Sequence, residues 1–69
     1  MKASDVMAAA LLTVQRYERE HGRRPPVLYF GPREHELYRR AMNDPELSLE
    51  YDGIPVLPMQ GEGVAAVET

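Results

Sequence analysis

A short apolar run between two proline-containing segments constrains the fold of this chain more than any other feature. The run Val-Leu-Tyr-Phe at 27–30 follows Pro25-Pro26 and precedes Gly31-Pro32. Proline fixes its own φ and biases the residue before it toward extended geometry, so neither flanking segment continues a helix. Four apolar residues without alternation are typical of a strand covered on both faces. The sequence therefore predicts a central strand at 27–30.

A helix is predicted before this strand, from Asp5 to His21. Ser4 or Asp5 can cap its first amides, and Gly22 supplies the left-handed residue that commonly ends a helix. Apolar side chains recur there at helical spacing and form one stripe. The stripe consists of Val6, Met7, Ala10, Leu11, Val14 and Tyr17.

A second helix is predicted after the strand. Pro32 suits the first helical position, and Glu34 complements the positive end of the helix dipole. Its stop signal is Asn43-Asp44-Pro45. The residues on its buried side are Leu37, Tyr38, Ala41 and Met42.

The remainder of the chain has β patterns. Asp52-Gly53 between apolar stretches predicts a two-residue hairpin that joins Leu47–Tyr51 to Ile54–Leu57. Pro55 and Pro58 cannot donate to a ladder, which places the second of these strands at an edge or a bulge. A last strand is predicted from Val64 to Val67.

These elements predict a single domain over residues 1–69 with an α+β fold. The expected order is α-β-α-β-β-β, with two helices packed on a small mixed sheet in two layers. Most of the core is predicted to come from Met7, Leu11, Val14, Val27, Tyr29, Leu37, Ala41, Ile54 and Val56.

Composition narrows the class of protein. The sequence holds no cysteine, which excludes a disulfide framework and favours a cytoplasmic protein. No stretch is long and apolar enough to predict a membrane span. Residues 1–40 carry eight bases and five acids, whereas residues 41–69 carry six acids and no base. Nucleic acid is an unlikely partner, because such binding depends on neutralising phosphates.

Catalytic and metal chemistry find little support in the sequence. His35 opens a His-Glu pattern that would need a second histidine at the position held by Arg39, so no metal site is predicted. No nucleophile lies beside a base, and no catalytic residue or cofactor is predicted. The alternative to a non-catalytic module is a small ligand-binding or enzymatic domain built from Arg33, Glu34, His35 and Arg39.

A protein-interaction or structural module is the favoured function. At 69 residues the chain buries a marginal core, so association with itself or with a larger protein is a plausible source of stability. Leu12 lies off the helical stripe, and apolar residues follow the edge prolines. The opposite charges of the two halves also favour a contact between copies. The predicted binding residues are Leu12, Arg33, His35, Leu57 and Met59.

The order of three motifs resembles part of the axial domain of HK97-type tailed-phage major capsid proteins. These motifs are the Pro-led strand at 26–32, the helix through Leu37 and Met42, and the Gly-Ile-Pro-Val strand within 51–56. The resemblance covers residues 5–67, without the long arm, extended loop and peripheral domain of that family. It implies a small phage- or prophage-encoded interaction module, in the cytoplasm or associated with the virion.

Overall fold

A computed structural model describes residues 2–42 and 49–67. The expected order of elements, α-β-α-β-β-β, is confirmed. The elements are α1 (Ala3–His21), β1 (Leu28–Phe30), α2 (Pro32–Met42), β2 (Glu50–Tyr51), β3 (Ile54–Pro58) and β4 (Val64–Ala66). The predicted helix stop at 43–45 and the beginning of the predicted strand at 47–48 lie outside the described residues.

Helix α1 begins two residues earlier than the sequence pattern predicts. Lys2 is its N-cap, and the Asp5 carboxylate accepts a hydrogen bond from the Lys2 backbone N–H at 2.9 Å. Gly22 ends the helix with φ of 72°, as expected. The buried stripe is narrower than predicted, because Leu11 is 47% exposed. Four of the six residues of the predicted stripe are buried: Val6, Ala10, Val14 and Tyr17.

The four strands form one mixed sheet in the order β2-β3-β1-β4. β1 lies inside the sheet, as expected, parallel to β3 and antiparallel to β4. The expectation that the strand from Ile54 to Leu57 lies at an edge or a bulge is wrong, because β3 lies between β1 and β2 and its pairing runs without an extra residue.

The proline positions explain how β3 can be internal. The Val56 N–H donates to the Leu49 carbonyl and so faces the β2 side of β3. The nitrogen of Pro58, two residues later, faces the same side, but no residue of β2 lies opposite it. The nitrogen of Pro55 faces the β1 side of β3. The pairing with β1 begins one residue later, at Val56 opposite Leu28, so Pro55 has no β1 partner. Both missing donors therefore fall where no ladder bond is required.

The β2–β3 hairpin has the predicted Asp52-Gly53 turn. Asp52 and Gly53 both have positive φ, 53° and 82°, as a type I′ turn requires. Arg24 anchors the turn: its guanidinium donates to the Asp52 carbonyl and lies 3.4 Å from the Asp52 carboxylate. This contact joins the connector after α1 to the hairpin.

Both helices pack on the same face of the sheet. Leu28, Phe30 and Val56 are buried beneath them, and Phe30 meets Tyr38 of α2 edge to face at 5.4 Å. The Tyr38 hydroxyl donates to the Glu50 carbonyl at 2.5 Å, which ties α2 to β2. Ala41 and Met42 are exposed, so of the predicted buried side of α2 only Tyr38 is buried, while Leu37 is half-buried.

Candidate functional site

The side of the sheet away from the helices forms an apolar surface. Side chains alternate between the two faces of a strand, so Tyr29 points away from the helices while Leu28 and Phe30 point toward them. Register places Leu57 of β3 on one side of Tyr29 and Ala65 of β4 on the other. This row of three residues, together with Met59, forms the open face of the sheet.

The open face contains two of the residues predicted to bind a partner. Leu57 is 45% exposed, and Met59 extends the β3 alternation because its N–H donates to the Phe30 carbonyl. Exposed Glu50 of β2 pairs with Pro55 and lies on the same side of the sheet. The surface therefore has an apolar centre and a carboxylate at its β2 end.

A separate cleft of about 370 Å³ lies at the start of α2. Arg33 and Glu34 line it together with Gln60 and Glu62 of the β3–β4 loop. Sequence reasoning missed the last two residues, because they are distant in sequence and belong to no motif.

Glu34 is the only buried charged residue in the described part of the chain, at 6% exposure. Its Oε1 has no hydrogen-bond partner among the described residues. The backbone packs closely around this carboxylate: a Cβ built on Gly31 would lie 2.6 Å from Oε1 and 2.5 Å from the Gly61 carbonyl oxygen. The glycine at the strand-to-helix turn is therefore required by close packing of two loops.

The four residues of the alternative ligand site do not converge. Arg33 and Glu34 line the α2 cleft, but His35 and Arg39 do not. Arg39 instead donates to both carboxylate oxygens of Glu36, at 2.7 and 2.9 Å. These hydrogen bonds lower the pKa of the Glu36 carboxyl and raise that of the Arg39 guanidinium.

Leu12 lies far from the other predicted apolar binding residues in the layered fold. It is 64% exposed on α1, in the helical layer, whereas Leu57 lies on the sheet face that points away from the helices. The structure therefore unites Leu57 and Met59 and separates both from Leu12.

A groove of about 280 Å³ runs between α1 and β4 and was not predicted from the sequence. Tyr17 in this groove is 4% exposed, and its hydroxyl has no hydrogen-bond partner among the described residues. Its ring stacks on His21 with centroids 4.2 Å apart. The sequence signal was the apolar helical stripe of α1, which includes Tyr17 but gives no sign of a groove. The α1–β4 groove is lined by Thr13, Arg16, Tyr17, Glu20, His21 and residues 64–66.

The described segments, 2–42 and 49–67, contain no group of three or more histidine, cysteine or acidic residues placed to hold a metal ion. Neither helix has the length and apolarity needed to cross a membrane.

Comparisons of the chain with protein-family models, with curated proteins and with solved structures gave no significant match.

Proposed function

We propose that this chain is a non-catalytic protein-interaction module that docks through the open face. The observation that carries the proposal is the continuous apolar row formed by Leu57, Tyr29 and Ala65 across three paired strands. Single exposed apolar residues are ordinary, but a contiguous row of them on a sheet face is typical of a binding surface.

The charge at the rim favours a particular partner. Glu50 stands at the β2 end of the open face, and the segment 41–69 contains no lysine or arginine. Two copies stacked on this face would bring like charges together, which opposes association. The favoured occupant is a different protein that presents apolar side chains flanked by basic residues. The resemblance to a capsid axial domain would make that protein a component of a phage particle.

The experiment uses two designed helical peptides with the same leucine stripe. One peptide has lysines beside the stripe, and the other has glutamates at the same positions. Amide chemical shifts of the full chain are followed during each titration. The lysine peptide should shift residues around Tyr29, Leu57 and Ala65, whereas the glutamate peptide should bind at least tenfold more weakly.

Leu57→Lys is the matched variant, since it places a charge in the centre of the open face. It should abolish the shifts caused by the lysine peptide, while Leu12→Lys on α1 should leave them unchanged. Equal binding of the two peptides, or loss of binding in Leu12→Lys alone, would contradict the proposal.

The α2 cleft supports a second candidate function, the binding of a small organic cation. The specific observation is the buried, unpartnered Glu34 Oε1, with Glu62 lining the same cleft. A buried carboxylate without a partner costs free energy that a bound cation can recover. Titration with ethylammonium should shift the Gly31 and Gly61 amides, and Glu34→Gln should remove that shift. Identical titrations for both proteins would exclude this function.

A further inference from the structure

The outer edge of β4 presents backbone groups that the sheet does not use. The Gly31 N–H donates to the Gly63 carbonyl at 2.9 Å, so these two residues form a hydrogen-bonded pair. Such pairs alternate along an antiparallel ladder, which makes Tyr29 and Ala65 the next one. The N–H and C=O groups of Val64 and Ala66 therefore point away from β1. No other strand in the described part of the chain pairs with this edge.

The α1–β4 groove lies along the same edge. Its lining on α1 extends from Thr13 to His21 and is centred on Tyr17, whose buried hydroxyl has no partner in the described structure. Arg16 and Glu20 lie one helical turn apart in the same lining. An unpaired strand edge beside a groove with an unsatisfied buried hydroxyl is incomplete on its own.

We propose that a second copy of this chain completes the groove by adding its β4 to this edge. The two β4 strands run antiparallel about a two-fold axis at Ala65. In this register Val64 of each copy exchanges both backbone hydrogen bonds with Ala66 of the other. Ala65 then faces Ala65 of the second copy in a non-hydrogen-bonded pair, where Cα atoms approach to about 4.5 Å and a methyl side chain fits.

Charge complementarity supports a second copy as the occupant. A two-fold axis reverses the direction of α1, so Arg16 of one copy lies on the same side as Glu20 of the other, and the reverse pair forms by symmetry. Thr13 and His21, at the two ends of the groove lining, are brought together in the same way. The pairing thus matches opposite charges without any change in the fold.

The proposed dimer does not rest on docking at the open face: it uses the backbone edge of β4 and α1, and it shares only Ala65 with that face. It also extends the open face: the row Leu57, Tyr29, Ala65 continues into the same row of the second copy. A small domain with a marginal core gains buried surface from this association.

A disulfide tests the register directly. The chain has no cysteine, so Ala65→Cys introduces a single thiol. Facing residues of a non-hydrogen-bonded pair meet the distance requirement for a disulfide, and mild oxidation should give a covalent dimer. Leu57→Cys is the matched control, since it places a thiol on the same face two strands away. Failure of Ala65→Cys to cross-link, or equally rapid cross-linking of Leu57→Cys, would overturn the proposal.

A charge exchange tests the symmetry. Arg16→Glu places the new carboxylate beside Glu20 of the other copy, in both symmetry-related contacts. This repulsion should raise the dimer dissociation constant about tenfold. The double variant Arg16→Glu/Glu20→Arg restores opposite charges and should return the constant to that of the unsubstituted chain. Sedimentation equilibrium measures all three proteins at low and high salt, and added salt should weaken the dimer.

The outcomes also separate this proposal from the proposed function. Leu57→Lys should lose peptide binding and retain the dimer, whereas Arg16→Glu should weaken the dimer and retain peptide binding. A chain that stays monomeric at millimolar concentration and low salt would overturn the dimer, whatever the peptides show. A double variant as weak as Arg16→Glu alone would overturn the two-fold arrangement.

Discussion

The two faces of the sheet carry similar residues in different surroundings. On β1, Leu28 and Phe30 are fully buried beneath the helices, while Tyr29 between them is half-buried on the open face. On β3, Val56 is buried and its neighbour Leu57 is 45% exposed. Residue type therefore does not decide burial in this sheet. The position of the helices does, and it leaves one apolar face available for a partner.

We expect the two faces to contribute to different properties, the covered face to stability and the open face to association. Substitutions on the covered face should change the free energy of unfolding, because they remove packing against α1 and α2. Substitutions on the open face should change association instead.

Leu28→Ala and Leu57→Ala remove the same atoms from opposite faces of neighbouring strands. Leu28→Ala should cost about 2–5 kcal/mol, because it creates a cavity in the core. Leu57→Ala should cost about 0.5 kcal/mol, as is usual for exposed positions. Urea denaturation of the two variants measures both values. Equal costs would show that the open face is covered in the isolated chain.

Gly31→Ala tests the close packing at the turn between β1 and α2. The added Cβ would lie 2.5 Å from the Gly61 carbonyl oxygen and 2.9 Å from the Glu62 Cα, so backbone must move. We expect a loss of about 1–3 kcal/mol. Gly61→Ala is the control, since a Cβ there meets nothing within 4 Å and should leave the urea midpoint almost unchanged. Similar losses at both glycines would contradict the packing described for this turn.

Tyr38→Phe removes the hydrogen bond from α2 to the Glu50 carbonyl and should cost about 1 kcal/mol. Tyr29→Phe removes the same hydroxyl from the open face and should cost less. Burial, with a smaller contribution from Tyr51, raises the pKa of the Tyr38 hydroxyl above its usual value of 10.0.

The raised pKa of Tyr38 gives the pH dependence a definite sign. When the pKa of a group is higher in the folded state than in the unfolded state, its full contribution to stability is present at pH values below the unfolded-state pKa. That contribution is lost as the pH rises through the folded-state pKa. The unsubstituted chain should therefore lose stability above about pH 10. Tyr38→Phe should show a shallower loss over the same range, and parallel curves would contradict the assignment.

The smallest effect is expected at Glu36, on the solvent side of the helical layer. Glu36→Gln breaks exposed ion pairs with Arg39 and Arg40 and should leave the urea midpoint within error. The pKa of Glu36 lies below 4.5, chiefly because Arg39 donates to its carboxylate. Its small contribution to stability is thus present above pH 4.5 and lost as pH falls.

An NMR titration of the Glu36 carboxyl measures this shift. Arg39→Gln should return the midpoint toward the ordinary value more than Arg40→Gln does. A larger effect of Arg40→Gln would show that the hydrogen bonds of Arg39 are not the main cause.

The elements and their order could be predicted from the sequence, because each element depends on local signals. Pro25-Pro26 and Gly31-Pro32 delimit β1, Gly22 ends α1, and Asp52-Gly53 makes the hairpin. The ion pair between Glu36 and Arg40, 3.3 Å apart, also has the i,i+4 spacing that a helix imposes.

The neighbours of each strand and the residues that face solvent depend on contacts between elements, which local signals do not specify. The prolines of β3 correctly marked missing donors, but the strand is internal because those donors fall beyond the reach of β2 and β1. Leu11 and Ala41 fit the helical stripes, yet they are exposed because each helix packs through a narrower line of residues. Tyr17 and β4, distant in sequence, line the same groove, and no local pattern encodes this proximity. Periodicity specifies which residues share a face of an element, whereas the contact between elements specifies what covers that face.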